Sequence, residues 1–257
     1  ENTEIDDVGV YELGGEKFSN WFYNQYGKTD GLIKMERAIA RSNDLYFYKM
    51  AEKVGLEDLR KGALKLGFGQ KTGIDLSDEA FGLVPDNVWK KSAIGEGWYT
   101  GDTLHLAIGQ GYMLVTPLQI NSMTSYVASG KLTKPFIVNK VEAGLGAGEI
   151  NFSPKIVASD IFEKNNINLV KKGMKAACEV GGTGAPFFNA KYKVGCKTGT
   201  AEEAGGPPHA WFTAFGPFEN PQITMTIIVE RAGEGSAVAA PVAKDIFDWW
   251  IANRSGK

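Results

Sequence analysis

Two short groups of residues in this sequence carry chemistry. Lys197-Thr198-Gly199-Thr200 closes an alternation of Tyr192, Val194 and Cys196 against Lys193, Gly195 and Lys197, the period of a strand. A strand edge there offers backbone N–H and C=O groups to an extended peptide, while an ammonium and neighbouring hydroxyls recognise a carboxylate. Gly199 has no side chain to block close approach, and the Thr200 N–H is placed to join an oxyanion hole. Acyl transfer is the reaction that fits. The second group, Ser42-Asn43-Asp44, stands at a break between two helical stripes. Ser42 reads in two ways: as the cap of the second helix, or as a hydroxyl that relays a proton between nucleophile and leaving group while Asp44 faces the substrate amide.

The letters Lys-Thr-Gly recur at Lys71-Thr72-Gly73, after Gly67-Phe68-Gly69 and without preceding alternation, so that copy reads as a turn. The elements that must position the other copy are legible around it. Leu32, Met35, Ala38 and Ile39 form a helix stripe that stops at Ser42. Leu45, Phe47, Tyr48, Ala51 and Val54 form a second, closed by Gly55. Leu56 to Leu66 reads as a further helix, followed by a loop-rich stretch to about Thr103 that Trp89 and Trp98 fold back onto the body. Helices are also expected from Pro117 to Gly130, from Ile167 to Val180 and from Val238 to Ile251. The runs Ala210 to Phe215 and Ile223 to Val229, separated by turn residues, read as an antiparallel strand pair. Residues 1 to 32 read as loop or short hairpins. The pattern gives one domain over 1–257: a mixed α/β fold of the α+β type, an antiparallel sheet with a helical subdomain.

Composition removes other classes of function. A 257-residue chain that is 43% hydrophobic is ordinary globular material, and a formal net charge of -2 with scattered Lys and Arg provides no field for nucleic acid. No apolar run approaches the ~18 residues a membrane-spanning helix needs. His105 and His209 show no metal-ligand spacing, and Cys178 and Cys196 permit one disulfide without requiring it.

Longer strings sharpen the reading. Ser42-Asn43-Asp44-Leu45-Tyr46-Phe47-Tyr48, Gly67 to Leu76, Ile108-Gly109-Gln110-Gly111-Tyr112, Thr116-Pro117-Leu118-Gln119 and His209-Ala210-Trp211-Phe212 resemble class B penicillin-binding proteins. The likeness is strongest to the elongation-type subgroup, penicillin-binding protein 2, and includes Asp7-Val8-Gly9 to Asn20-Trp21. Such proteins combine S-x-x-K, S-D-N and K-T-G motifs in a penicillin-binding, β-lactamase-like fold. The resemblance implies a peptidoglycan D,D-transpeptidase that forms an acyl-serine on stem peptides ending in D-Ala-D-Ala, is blocked by β-lactams, and needs no cofactor. It implies catalytic roles for Ser42, Asp44, Lys197 and Thr200, and substrate contacts at Thr198, Gly199 and Thr200. It also implies an extracytoplasmic setting, an N-terminal membrane anchor outside this chain, and a membrane glycosyltransferase of the elongation machinery as partner.

There are two departures. Position 44 is Asp where most of the family has Asn, a choice shared with elongation-type members, and Asp44 is expected to pair with a nearby Lys. No serine has Lys three residues on, so the S-x-x-K nucleophile is absent from these 257 residues; it is expected upstream of Glu1, leaving the chain alone inactive. Some elongation-type members also resemble one another in a metal site near the second motif; here Asp7, Asn20, Tyr26 and Asn43 occupy that neighbourhood and no metal is expected. Two alternatives stay open: a non-catalytic peptidoglycan- or partner-binding module of the same fold, and a serine β-lactamase.

Overall fold

The computed structural model describes residues 3–142 and 148–254. The first stretch holds more regular structure than its composition suggests. β1 (Ile5–Asp7) pairs with β4 (Gly31–Ile33), and between them β2 (Val10–Leu13) and β3 (Glu16–Ser19) form a hairpin that leads into α1 (Trp21–Tyr26). The hairpins are as expected, but α1 is not legible: a single aromatic turn is too short to show a helical period. Leu32 is 64% exposed on β4 and leaves the helical stripe, so α2 (Met35–Arg41) begins later than the spacing predicts.

α3 (Asp44–Val54) and α4 (Leu56–Lys65) follow the predicted stripes, with Gly55 between them. The stretch up to Thr103 is not all loop. It contains α5 (Asn87–Ala93), capped by the Asp86 carboxylate, and the start of α6 (Thr100–Ala107). Both tryptophans fold it back: Trp89 packs on Tyr112, and Trp98 donates its indole N–H to the Thr103 hydroxyl. α7 (Pro117–Ser129) starts in a Thr116/Gln119 capping box and ends at Gly130.

Among the described residues between α7 and the next helix are the short strands β5 (Lys131–Lys134), β6 (Lys140–Glu142), β7 (Glu149–Asn151) and β8 (Lys155–Ser159), paired as β5–β8 and β6–β7. They are charged and mostly exposed, so no hydrophobic alternation announces them. α8 (Lys164–Ala177) ends earlier than the expected Val180, where Gly184 N–H reaches back to the Ala177 carbonyl and closes the turn.

The main sheet is antiparallel in the order β11–β10–β9: β9 (Gly195–Ala201), β10 (His209–Gly216) and β11 (Ile223–Val229). β9 begins later than the alternation from Tyr192 implies and continues through Lys197-Thr198-Gly199-Thr200. Because β10 is covered on both faces, its apolar run is nearly continuous rather than alternating. α9 (Ala239–Asn253) packs Ala239, Ala240, Ala243 and Phe247 with Phe212 and Ala214 on one side. On the other, Ile39, Val127, Ala128 and Met174 gather around Phe215. That second cluster ties α2, α7 and α8 to the sheet. It fixes the end of α2 relative to β9.

Candidate active site

The turn between α2 and α3 is built from three residues with three different tasks. Asn43, not Ser42, caps α3: its Oδ1 accepts from the Tyr46 N–H at 2.9 Å. Ser42 therefore loses the capping role that its type and position allow. It closes α2 in the left-handed conformation, φ 51° and ψ 48°. For a residue with a Cβ that conformation costs roughly 1–2 kcal/mol, and strain of this kind gathers where a side chain must be aimed. The hydroxyl is aimed at β9, where the Lys197 ammonium donates to Ser42 Oγ at 2.7 Å across 155 positions of sequence.

Strand geometry explains how Lys197 arrives there. β9 is the outer strand, and alternation sends Lys197 towards Ser42 while Cys196 and Thr198 face the end of α8. On that side Cys196 forms a disulfide with Cys178, and the Thr198 and Thr183 hydroxyls share a hydrogen bond of 2.8 Å. The Thr198 and Thr200 carbonyls each receive a bond from a side chain, Lys197 Nζ at 2.8 Å and Gln110 Nε2 at 3.0 Å. In an antiparallel ladder a residue's N–H and C=O point the same way, so the Thr200 N–H also lies on the free edge. Gly199 is required by its neighbour as much as by any substrate: a Cβ there would come within 3.0 Å of the Trp211 Cβ.

Burial governs the charges. It pushes the Asp44 carboxyl up to about 6, against the opposing pull of the Trp21 N–H and of Lys197. It pushes Lys197 down to about 8, against the attraction of Asp44. The expected Asp44–Lys pairing takes this form: two charges attract across the site without a direct ion pair, and the ammonium bonds Ser42 instead. Lys71-Thr72-Gly73 lies apart in a loop whose Thr72 and Gly73 N–H groups are held by the Glu79 carboxylate, as a turn.

Other contributors have weaker sequence signals. Trp21 brackets the turn: its backbone N–H reaches Asp44 Oδ2 at 3.3 Å and its indole N–H the Arg41 carbonyl at 2.8 Å. Thr183 sits in the glycine run Gly181-Gly182-Thr183-Gly184 and Gln110 between Gly109 and Gly111, both marked only by flanking glycines. At the family's metal neighbourhood, the buried Asp7 accepts from Asn20 and Asn43 side-chain amides at 2.9 and 2.8 Å and from the Gly9 and Asp30 N–H groups. Tyr26 is 61% exposed and packs on Trp21 and Phe22. One carboxylate already engaged by four N–H donors does not fit a metal centre.

Comparison with known proteins gives the family and the fold. The penicillin binding protein transpeptidase domain family matches residues 1–248. The Haemophilus influenzae peptidoglycan D,D-transpeptidase MrdA is 33% identical over 98% of this chain, which spans 41% of that relative's length. Pseudomonas aeruginosa PBP2, solved with WCK 5153, superposes with a TM-score of 0.84 at 36% identity over 99% of this chain and 55% of that one. Helicobacter pylori PBP2, solved in complex with MreC, gives 0.83 at 34% identity over 98% of this chain and 46% of that one. With the Ser42-Asn43-Asp44 turn facing the Lys197-Thr198-Gly199 strand in that fold, the chain belongs to the transpeptidase domain family of the class B penicillin-binding proteins.

Proposed function

We propose that this chain is the substrate-side portion of a peptidoglycan D,D-transpeptidase whose acylating serine is contributed by sequence preceding Glu1 in the intact protein, so that 1–257 forms most of one catalytic domain. The observation that carries the reading is the 2.7 Å contact from Lys197 Nζ to Ser42 Oγ, beside a free strand edge. In this reading a stem peptide ending in D-Ala-D-Ala, or a β-lactam, lies along β9. Its carboxylate meets Thr198 and Thr200, and its carbonyl oxygen meets the Thr200 N–H. The serine attacks that carbonyl, D-Ala leaves with a proton passed through Ser42, and an amine of a neighbouring strand takes the acyl group. Asp44 holds Lys197 charged and oriented. No cofactor enters these steps.

The reading carries an extracytoplasmic location and an upstream membrane anchor. It also carries a membrane glycosyltransferase partner within a wall-elongation complex; a relative 28% identical, solved in a peptidoglycan synthase complex that coordinates polymerization and crosslinking, supports a partner of this kind. The test is covalent labelling with a fluorescent penicillin. The intact protein is expected to give a stable adduct on the upstream serine, and residues 1–257 alone none. A folded intact protein that never labels sinks the reading, and a label on Ser42 overturns the assignment of roles.

A further inference from the structure

Of the groups on the free edge of β9, the Thr200 carbonyl has an occupant that the reaction does not call for. Gln110 Nε2 donates to it at 3.0 Å, from a residue 90 positions away. An extended peptide added to this edge would use its own backbone N–H at that acceptor, since strand addition pairs N–H to C=O along the edge. Gln110 and such a peptide therefore compete for one carbonyl.

The rest of the local structure suits a side chain that leaves. The backbone of Gln110 is fixed by its N–H bond to the His105 carbonyl, 2.9 Å, at the end of α6. Gly109 and Gly111 on either side take φ 76° and 71°, and a Cβ on Gly111 would press to 3.1 Å from the His105 Cβ. The turn thus presents the carboxamide from a set position. Beside it lies an open surface hollow of about 340 Å3 lined by His105, Ile108, Gly111 and Glu202, with Gln110 itself on its wall. A displaced carboxamide has somewhere to go.

We propose that Gln110 is a positioning residue that holds the substrate edge in the empty enzyme: its carboxamide stands in for a substrate peptide N–H at the Thr200 carbonyl and swings into the adjoining hollow when the acyl donor binds. The inference rests on the transpeptidase reading. It adds that the edge is pre-occupied, so that every acyl donor displaces one neutral hydrogen bond before it pairs. Such an internal competitor lowers apparent affinity without touching the chemical step, because only the fraction with a free edge binds.

The experiment follows penicillin labelling of the full-length protein over a range of antibiotic concentrations, giving a half-saturating concentration and a limiting acylation rate. In Gln110→Met, of similar length but without a donor, the half-saturating concentration is expected to fall about twofold to tenfold, the worth of one neutral hydrogen bond. The limiting rate should not move, and the thermal midpoint should fall by no more than a few degrees, because the deleted bond also held the empty enzyme. A merely structural role would leave the half-saturating concentration unchanged or raise it. Gln110→Ala repeats the measurement should the Met variant fail to fold. A half-saturating concentration that is unchanged or raised overturns the proposal while leaving the transpeptidase reading intact. Wild-type protein that never labels overturns both.

Discussion

At neutral pH Asp44 and Lys197 both carry charges that their surroundings resist, and this gives the site a pH window. Burial raises the Asp44 carboxyl from its ordinary 3.8 to about 6, so its contribution to stability is full below the lower value and is lost as pH rises through about 6. Lys197, lowered from 10.5 to about 8, costs stability below about 8, and that cost is relieved as pH rises towards 10.5. The doubly charged form, which orients the ammonium on Ser42 Oγ, predominates between about 6 and 8. Acylation of the intact protein is therefore expected to fall on both sides of that window. Asp44→Asn should abolish the acidic limb and move the alkaline limb to lower pH, because removing the carboxylate removes what holds the Lys197 pKa up. A variant whose profile overlays the wild type refutes the coupling. These residues are readable in the sequence because their letters and order are specific. Gln110 and Thr183 are not, since one glutamine and one threonine among glycines have no chemistry until the fold brings β9 beside them.

The elements that carry the site show why some of it is legible and some is not. α2, α3, α7 and α9 each bury an apolar face or carry a cap, so spacing finds them. α1 and β5 to β8 are short, and aromatic or charged, so no apolar period marks them. The bond between Cys178 and Cys196 is of the second kind: two cysteines permit it, and only the meeting of the α8 end with β9 forms it. Its position beside Lys197 gives it an element-level task, keeping the start of β9 against the turn that carries Thr183. Closing a loop of 18 positions removes chain entropy from the unfolded state worth about 3 kcal/mol. Cys178→Ala/Cys196→Ala protein is thus expected to unfold at lower denaturant, by about that free energy, with slower acylation in the intact protein. Equal denaturation midpoints for the oxidised wild type and the double variant would contradict it.

Across the whole molecule, the distance between Ser42 and Lys197 is set by how closely α2 approaches α8, because Ser42 ends the first helix and the second leads through Cys178 to β9. That approach depends on Gly173. A Cβ at this buried position would lie 2.7 Å from the Ile39 Cβ and 2.9 Å from its Cδ1, inside a cluster that also holds Met174 and Phe215. The β-branched Ile39 cannot turn both atoms away, so Gly173→Ala has to separate the helices. We expect a loss of about 1–3 kcal/mol from overpacking together with slower penicillin acylation of the intact protein as the Lys197–Ser42 contact lengthens. Gly62, within α4, supplies the contrast. A Cβ there meets only Phe162 Cζ at 3.7 Å and Cε1 at 4.0 Å, ordinary contacts, so Gly62→Ala should gain about 0.5–1 kcal/mol from the reduced freedom of the unfolded chain. Its acylation rate should match the wild type. Two glycine-to-alanine changes in helices thus take opposite signs, and only the one between α2 and α8 reaches the site. If Gly173→Ala folds as stably as wild type and labels as fast, the spacing of those helices does not set the geometry of Ser42 and Lys197.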